Sequence, residues 1–231
     1  MVISHKYKFI FIKTKKTAGT SIEVFLSQVC GEKDILTPIY PHVTPHRARN
    51  FQGYWNPLPE FRYNGFRRKK RLLNEICSRE KFYNHISAEK VRLRVSGKIW
   101  KSYYKFCVER NPWDKTLSYY HMQKDRSFDT LTMEKYFESG DFCLNYPLYT
   151  DKDGKIIVDK ILKYENLNAD LADTFHSLGV PFPGTLNIFA KSDHRKGRKH
   201  FTEELTREQI HRISEVFEHE IEINGYDRSL L

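Results

Sequence analysis

Tyr7-Lys-Phe-Ile-Phe-Ile-Lys-Thr-Lys-Lys-Thr-Ala-Gly-Thr-Ser21 is the stretch whose reading decides the fold. Tyr7–Ile12 is aromatic and β-branched, the make-up of a short buried strand. Lys13–Ser21 is a polar, lysine-rich turn. Beyond it Ile22, Phe25, Leu26 and Val29 recur at helical spacing and mark one apolar face, and Gly31 suits the end of that helix. The segment reads strand, loop, helix.

The same order returns twice. Tyr103–Val108 forms a second strand and runs into Arg110-Asn111-Pro112-Trp113. Asn111 suits an N-cap and Pro112 a first helical position, with the helix reaching about Met122. Ile156–Tyr164 is a third strand, followed by an apolar helix face at Leu167, Leu171, Phe175 and Leu178 that Gly179 and Pro181 close. Further helices are predicted over Ala88–Val95, capped by Ser87, and over Thr132–Glu138. Thr206-Arg-Glu-Gln209 has the form of a capping box and opens a last helix with Ile210, Ile213, Phe217 and Ile221 inward. Strands alternating with helices predict an α/β protein with a central parallel sheet flanked by helices.

A length of 231 residues suits a single domain, 1–231. Sixteen Phe and fourteen Tyr can fill its core. Residues 37–79 lack periodicity and hold five prolines and the basic run Arg67–Arg71. They are predicted to be an insertion on the substrate side with one short helix near Arg71–Ser78; a solvated excursion is the plainer alternative. Cys30, Cys77, Cys107 and Cys143 form no C-x-x-C pair, so reduced thiols and no metal are expected. No run approaches the ~18–20 apolar residues of a membrane span, and Met1–Lys8 lacks a signal-peptide core. The expectation is a cytoplasmic protein.

The formal charge of +10 fits either an ordinary basic surface or a partner with several negative charges. The opening loop favours the second. A turn that starts a helix offers unpaired N–H groups and the positive end of the helix dipole. Gly19 lets backbone approach a ligand, Thr20 and Ser21 add hydroxyls, and Lys13, Lys15 and Lys16 add charge. Walker A does not fit, because Gly19 is followed by Thr and Lys16 comes before the glycine.

That order resembles the 5′-phosphosulfate loop of sulfotransferases that use 3′-phosphoadenosine 5′-phosphosulfate (PAPS). The carbohydrate-type branch reads P-K-T-A-G-T-S there. Lys16-Thr17-Ala18-Gly19-Thr20-Ser21 matches, with Lys15 where proline is usual. A second match is Arg110-Asn-Pro-Trp-Asp-Lys-Thr-Leu-Ser118, similar to the family's R-N-P-[WY]-D-R-x-x-S, with Lys115 in place of the commoner Arg. The resemblance implies a P-loop-NTPase-like three-layer domain. It implies that Lys16 contacts the bridging oxygen and 5′-phosphate, and that Lys15, Thr17, Ala18, Gly19, Thr20 and Ser21 belong to the cradle. Arg110 and Ser118 would hold the 3′-phosphate, as an Arg fork suits. Ser192 and Arg198, in the basic loop before the last helix, would close over the nucleotide. Phe82-Tyr-Asn-His85-Ile-Ser-Ala88 resembles a stretch near the family's second strand and makes His85 the expected base, with His42, His46 and Glu109 as alternatives. Glu165, after the third strand, is expected to organise its loop.

The implied reaction moves a sulfuryl group from PAPS to a glycan or glycolipid hydroxyl and leaves adenosine 3′,5′-bisphosphate, with no metal. Two rivals stand beside it. A nucleotide kinase needs a lysine after the glycine and a magnesium carboxylate. A nucleic-acid-binding protein fits the charge, but the sequence carries no recognised motif for it, so no nucleic acid is expected.

Overall fold

The computed structural model describes residues 1–63, 66–128, 130–186 and 200–227. A mixed five-stranded sheet runs in the order β3-β1-β2-β4-β5. Its strands are β1 (Val2–Ser4), β2 (Phe9–Phe11), β3 (Ile35–Leu36), β4 (Tyr104–Glu109) and β5 (Lys160–Lys163). β2, β4 and β5 are parallel, as the alternation of strands and helices requires. β1 pairs antiparallel with both β2 and β3, so the sheet is parallel in one half only. The sequence reading missed β1 and β3 because each is two or three residues long, too short to show a period.

Alternation along the strands explains the layers. Phe9, Phe11, Phe106 and Val108 face one side and pack with Ile22 and Leu26 of α1 (Gly19–Val29). Ile10, Ile12 and Cys107 face the other and pack with Phe82, Ile86 and Val91. Short helices α2 (Leu58–Tyr63), α3 (Phe66–Cys77), α4 (Ala88–Arg94) and α5 (Gly97–Ser102) lie between β3 and β4 in sequence. After β4 come α6 (Pro112–Arg126), α7 (Met133–Ser139) and α8 (Tyr146–Tyr149). After β5, α9 (Leu167–Leu178) adds Leu171 and Phe175 to the first face. The chain ends with α10 (Phe201–Glu204), α11 (Arg207–Val216) and α12 (Glu218–Asn224).

The predicted last helix is broken at Phe217 into α11 and α12, yet all four of its expected apolar residues are buried. They join Trp113 and Leu117 in a third cluster beside the sheet, where Trp113 stacks on Phe201 at 5.3 Å. The Thr206 capping box forms with Gln209. α6 runs to Arg126, past the expected Met122.

The insertion differs most from its prediction. It carries two helices, and α3 starts well before Arg71. Its root is ionic. Arg94 of α4, fully buried, donates to Glu60 at 2.7 and 2.8 Å and also to Glu75. Its guanidinium lies 4.4 Å from the Trp55 ring centre, and Trp55 Nε1 donates to Glu60 at 2.8 Å. Burial alone would raise the Glu75 carboxyl, but Arg94 and Lys90 outweigh it and hold the group below its ordinary value. Removing one member of such a buried set costs about 3–5 kcal/mol, because the remaining charge loses its partner.

Candidate functional site

The register of the three parallel strands brings their C-terminal ends side by side. Phe11 pairs with Phe106, and Glu109 with Lys163. The loops that follow therefore emerge together: Lys13–Ala18, Arg110–Asn111 and Tyr164–Asn166. The edge formed by strand C-termini is where open α/β sheets hold ligands.

The first loop is fixed from below. The Thr14 hydroxyl donates to the Val108 carbonyl of β4, and Thr14 and Thr17 Oγ1 atoms lie 2.8 Å apart. Lys16 (φ 62°) and Ala18 (φ 58°) both take the left-handed region, at about 1–2 kcal/mol each for residues with a Cβ. α1 starts on Ala18 with no capping side chain and no acidic residue in its first turn. That helix end combines N–H groups, dipole and an αL turn, a combination suited to an anion. Thr17, Gly19 and Ser21 are buried; Lys15, Lys16, Ala18 and Thr20 are half-buried.

Lys13 and Gly19 have structural roles that the sequence does not show. Lys13 is buried and pairs with Glu23 of α1 at 2.6 Å. Its stem crosses Gly19, where an added Cβ would lie 2.7 Å from Lys13 Cγ. Glycine thus makes room for a strap from strand end to helix, and Lys13 serves that strap.

The second junction, β4 into α6, carries its own cap. Asn111 Oδ1 accepts from the amides of Trp113 and Asp114 at 3.1 and 3.3 Å. Arg110 is 6% exposed, and its guanidinium lies over the Tyr164 ring at 4.4 Å. Asn111 N donates to Glu165 at 2.7 Å, and the Tyr226 hydroxyl to the same carboxylate at 3.3 Å. Glu165 so ties the turn after β5 to the turn after β4. Ser118 sits half-buried on α6.

A half-open cavity of about 350 Å³ lies between the start of α1 and the turn after β5. Ala18 and Ser21 line one side, Tyr164 to Ala169 and Leu186 the other. Its size falls in the range of small-molecule pockets.

His85 stands against the same loop. Its Nδ1 is 3.0 Å from the Lys13 carbonyl oxygen. A carbonyl only accepts, so Nδ1 carries the hydrogen and Nε2 the lone pair. Burial, then the charge of Lys13, pushes its pKa down from 6.5 to about 3, so the ring is neutral at physiological pH.

The alternative bases are placed elsewhere. His42 lies 3.1 Å from the His46 carbonyl, and buried His46 lies 2.9 Å from the Thr37 carbonyl, so both organise the insertion's first loop. Glu109 is fully buried beneath the site. Its Oε1 accepts from Arg110 N at 3.0 Å, Lys115 Nζ at 2.7 Å and Asn145 Nδ2 at 3.1 Å. Burial and the neighbouring Glu220 push its carboxyl up against the pull of Lys115. Lys115, also fully buried, bridges Glu109 and Glu220, which hold it protonated against the effect of burial. This network, with Asn145 and Glu220 in it, was invisible in the sequence, where its members lie up to 111 positions apart. Ser192 and Arg198 lie outside the described residues. Among the described residues no His, Cys, Asp and Glu cluster could hold a metal, and no helix is long and apolar enough to cross a membrane.

The fold and site define a mixed-sheet α/β protein with an anion-suited loop at the ends of its parallel strands. No family model matches the chain. A protein of Archaeoglobus fulgidus, described only as uncharacterized, is 38% identical over 114 residues, covering 46% of this chain and 94% of the archaeal one. The chain belongs to the same family as that archaeal protein. Among solved structures, a sulfotransferase from Alicyclobacillus acidocaldarius aligns over 93% of this chain and 92% of its own, at 15% identity and a TM-score of 0.38.

Proposed function

We propose that the protein is a PAPS-dependent sulfotransferase of P-loop-like fold that acts on a hydroxyl acceptor, a carbohydrate or glycolipid of the kind the carbohydrate-type branch modifies. One observation carries the reading: the two sequence matches, Lys16–Ser21 and Arg110–Ser118, lie on strand-to-helix junctions of adjacent parallel strands. Their neighbourhood suits a doubly phosphorylated nucleotide. One junction has an uncapped helix start with lysines and hydroxyls; the other has a nearly buried arginine over Tyr164.

The donor supplies a sulfuryl group on a phosphate leaving group. Lys16 and the amides of the loop neutralise charge that grows on that phosphate, in the manner of an oxyanion hole. Arg110 and Ser118 anchor the 3′-phosphate and so set the register of the donor. Ser192 and Arg198 enter this reading through the resemblance alone, as contacts of the nucleotide. The acceptor oxygen forms its bond to sulfur as the sulfur–bridging oxygen bond breaks, and its proton passes to His85 Nε2. Burial, the main cause of the ring's low pKa, keeps His85 a weak base, and an anionic donor counters only the smaller contribution of Lys13.

The test is transfer of label from sulfur-labelled PAPS to a panel of glycans. Lys16→Ala is expected to lower turnover by about 100- to 1,000-fold, the effect of one oxyanion donor, with little change in thermal stability. A variant with full activity removes Lys16 from the mechanism. Stabilisation by ATP and magnesium, with none by adenosine 3′,5′-bisphosphate alone, would turn the reading toward a kinase.

A further inference from the structure

Asn145 is fully buried at the entry to α8, outside both sequence motifs. Its side-chain amide meets the backbone of Lys15 twice. Oδ1 accepts from Lys15 N at 2.8 Å, and Nδ2 donates to Lys15 O at 3.0 Å. That is the two-bond pairing a neighbouring strand would offer, made by one side chain. It falls on the residue just before Lys16, whose left-handed backbone needs support from its surroundings.

Asn145 is itself held from two directions. Its Nδ2 also donates to Glu109 at 3.1 Å, and its backbone N donates to Glu220 at 2.5 Å. Lys115 bridges those two carboxylates. Glu109 in turn accepts from Arg110 N at 3.0 Å. A continuous chain of bonds thus runs from the first anion loop through Asn145 and Glu109 to the backbone of Arg110.

We infer that Asn145 is a positioning residue: it clamps the Lys15 peptide, fixes the loop that meets the 5′-phosphate, and sets that loop's spacing from Arg110. The inference rests on the proposed reading for its ligand, and on the hydrogen bonds alone for the clamp. Asn145 touches no reacting atom. Its work is to keep Lys16 and the amides of Thr17–Ser21 in one arrangement before the ligand arrives, which lowers the ordering that binding demands.

Calorimetric titration of Asn145→Ala with two probes tests it. Affinity for adenosine 3′,5′-bisphosphate is expected to fall by roughly tenfold, the effect of losing two neutral hydrogen bonds. Affinity for adenosine 3′-monophosphate, which has nothing for the loop to hold, is expected to stay within about twofold of wild type by the same argument. Equal losses for both probes would mean a merely structural role and overturn the inference. Hydrogen exchange of the ligand-free protein is the second readout. Amides of Lys15–Ser21 are expected to exchange faster in the variant, with α9 unchanged. If wild type binds neither nucleotide, the proposed function fails, and exchange alone decides: an unchanged loop overturns the clamp, a loosened one upholds it. Asn145→Ser, neutral and too short to pair with both polar groups of Lys15, adds no charge beside Glu109 and Glu220; it serves if the alanine variant does not fold, and is expected to shift the same readouts in the same direction.

Discussion

Helix α6 begins with its first amides already engaged. Asn111 Oδ1 accepts from Trp113 N and Asp114 N, Pro112 has no N–H to satisfy, and Asp114 places an acid in the first turn. One strand over, α1 begins on a left-handed alanine, with no capping side chain and no acid in its first turn. Both helices follow a parallel strand and start at the same edge of the sheet. The difference separates two uses of one motif. α6 caps its own first turn; the first turn of α1 has no side-chain cap, the arrangement on which the proposed anion site rests. The left-handed residues that lead into α1 are costly unless the surroundings enforce them, and here Asn145, Thr14 and the Lys13–Glu23 strap enforce them.

The contrast can be attacked from both sides. Lys115→Ala strikes the support common to both junctions, leaving Glu109 and Glu220 buried together without their cation. It is expected to lower unfolding free energy by about 3–5 kcal/mol, read as a fall in the urea midpoint. A change below about 1 kcal/mol would mean the network carries little of the fold. Asn111→Ala removes the cap of α6 alone, with an expected loss of about 1 kcal/mol. Ala18→Asp brings to α1 the negative charge that α6 already has. A gain of about 0.5 kcal/mol in stability is expected from the helix dipole, together with loss of adenosine 3′,5′-bisphosphate binding. If the aspartate variant binds as wild type does, the start of α1 is not the anion site.

Much of the frame was legible in the chain. Tyr7–Ile12 and Tyr103–Val108 announced β2 and β4 because buried strands are continuous and apolar, and Ser87, Asn111 and Thr206 announced helix starts because caps are local chemistry. What failed was short or non-local. β1 is a three-residue arm of a hairpin, too short to show a period, β3 exists only by pairing with β1 some thirty residues back, and α2 and α3 are rooted by Arg94 from another helix. The site divides the same way. The residues proposed to meet the donor, Lys16–Ser21 and Arg110, were read from spacing and resemblance. The assignment of Lys13 to a structural strap, of Glu109 to a buried network and of Asn145 to a clamp depends on contacts that no spacing encodes. Glu23 was the one hint, an acid within an otherwise apolar helix stretch.

The root of the insertion has a consequence for inheritance. Arg94, Glu60, Glu75 and Trp55 fasten α2 and α3 to α4, while Tyr54, Leu58, Lys70 and Leu73 are turned outward. None of the outward residues takes part in the hydrogen bonds that hold the Lys13–Ser21 loop. Those outer positions can therefore change over generations without altering the hydrogen bonds of the loop at the strand ends.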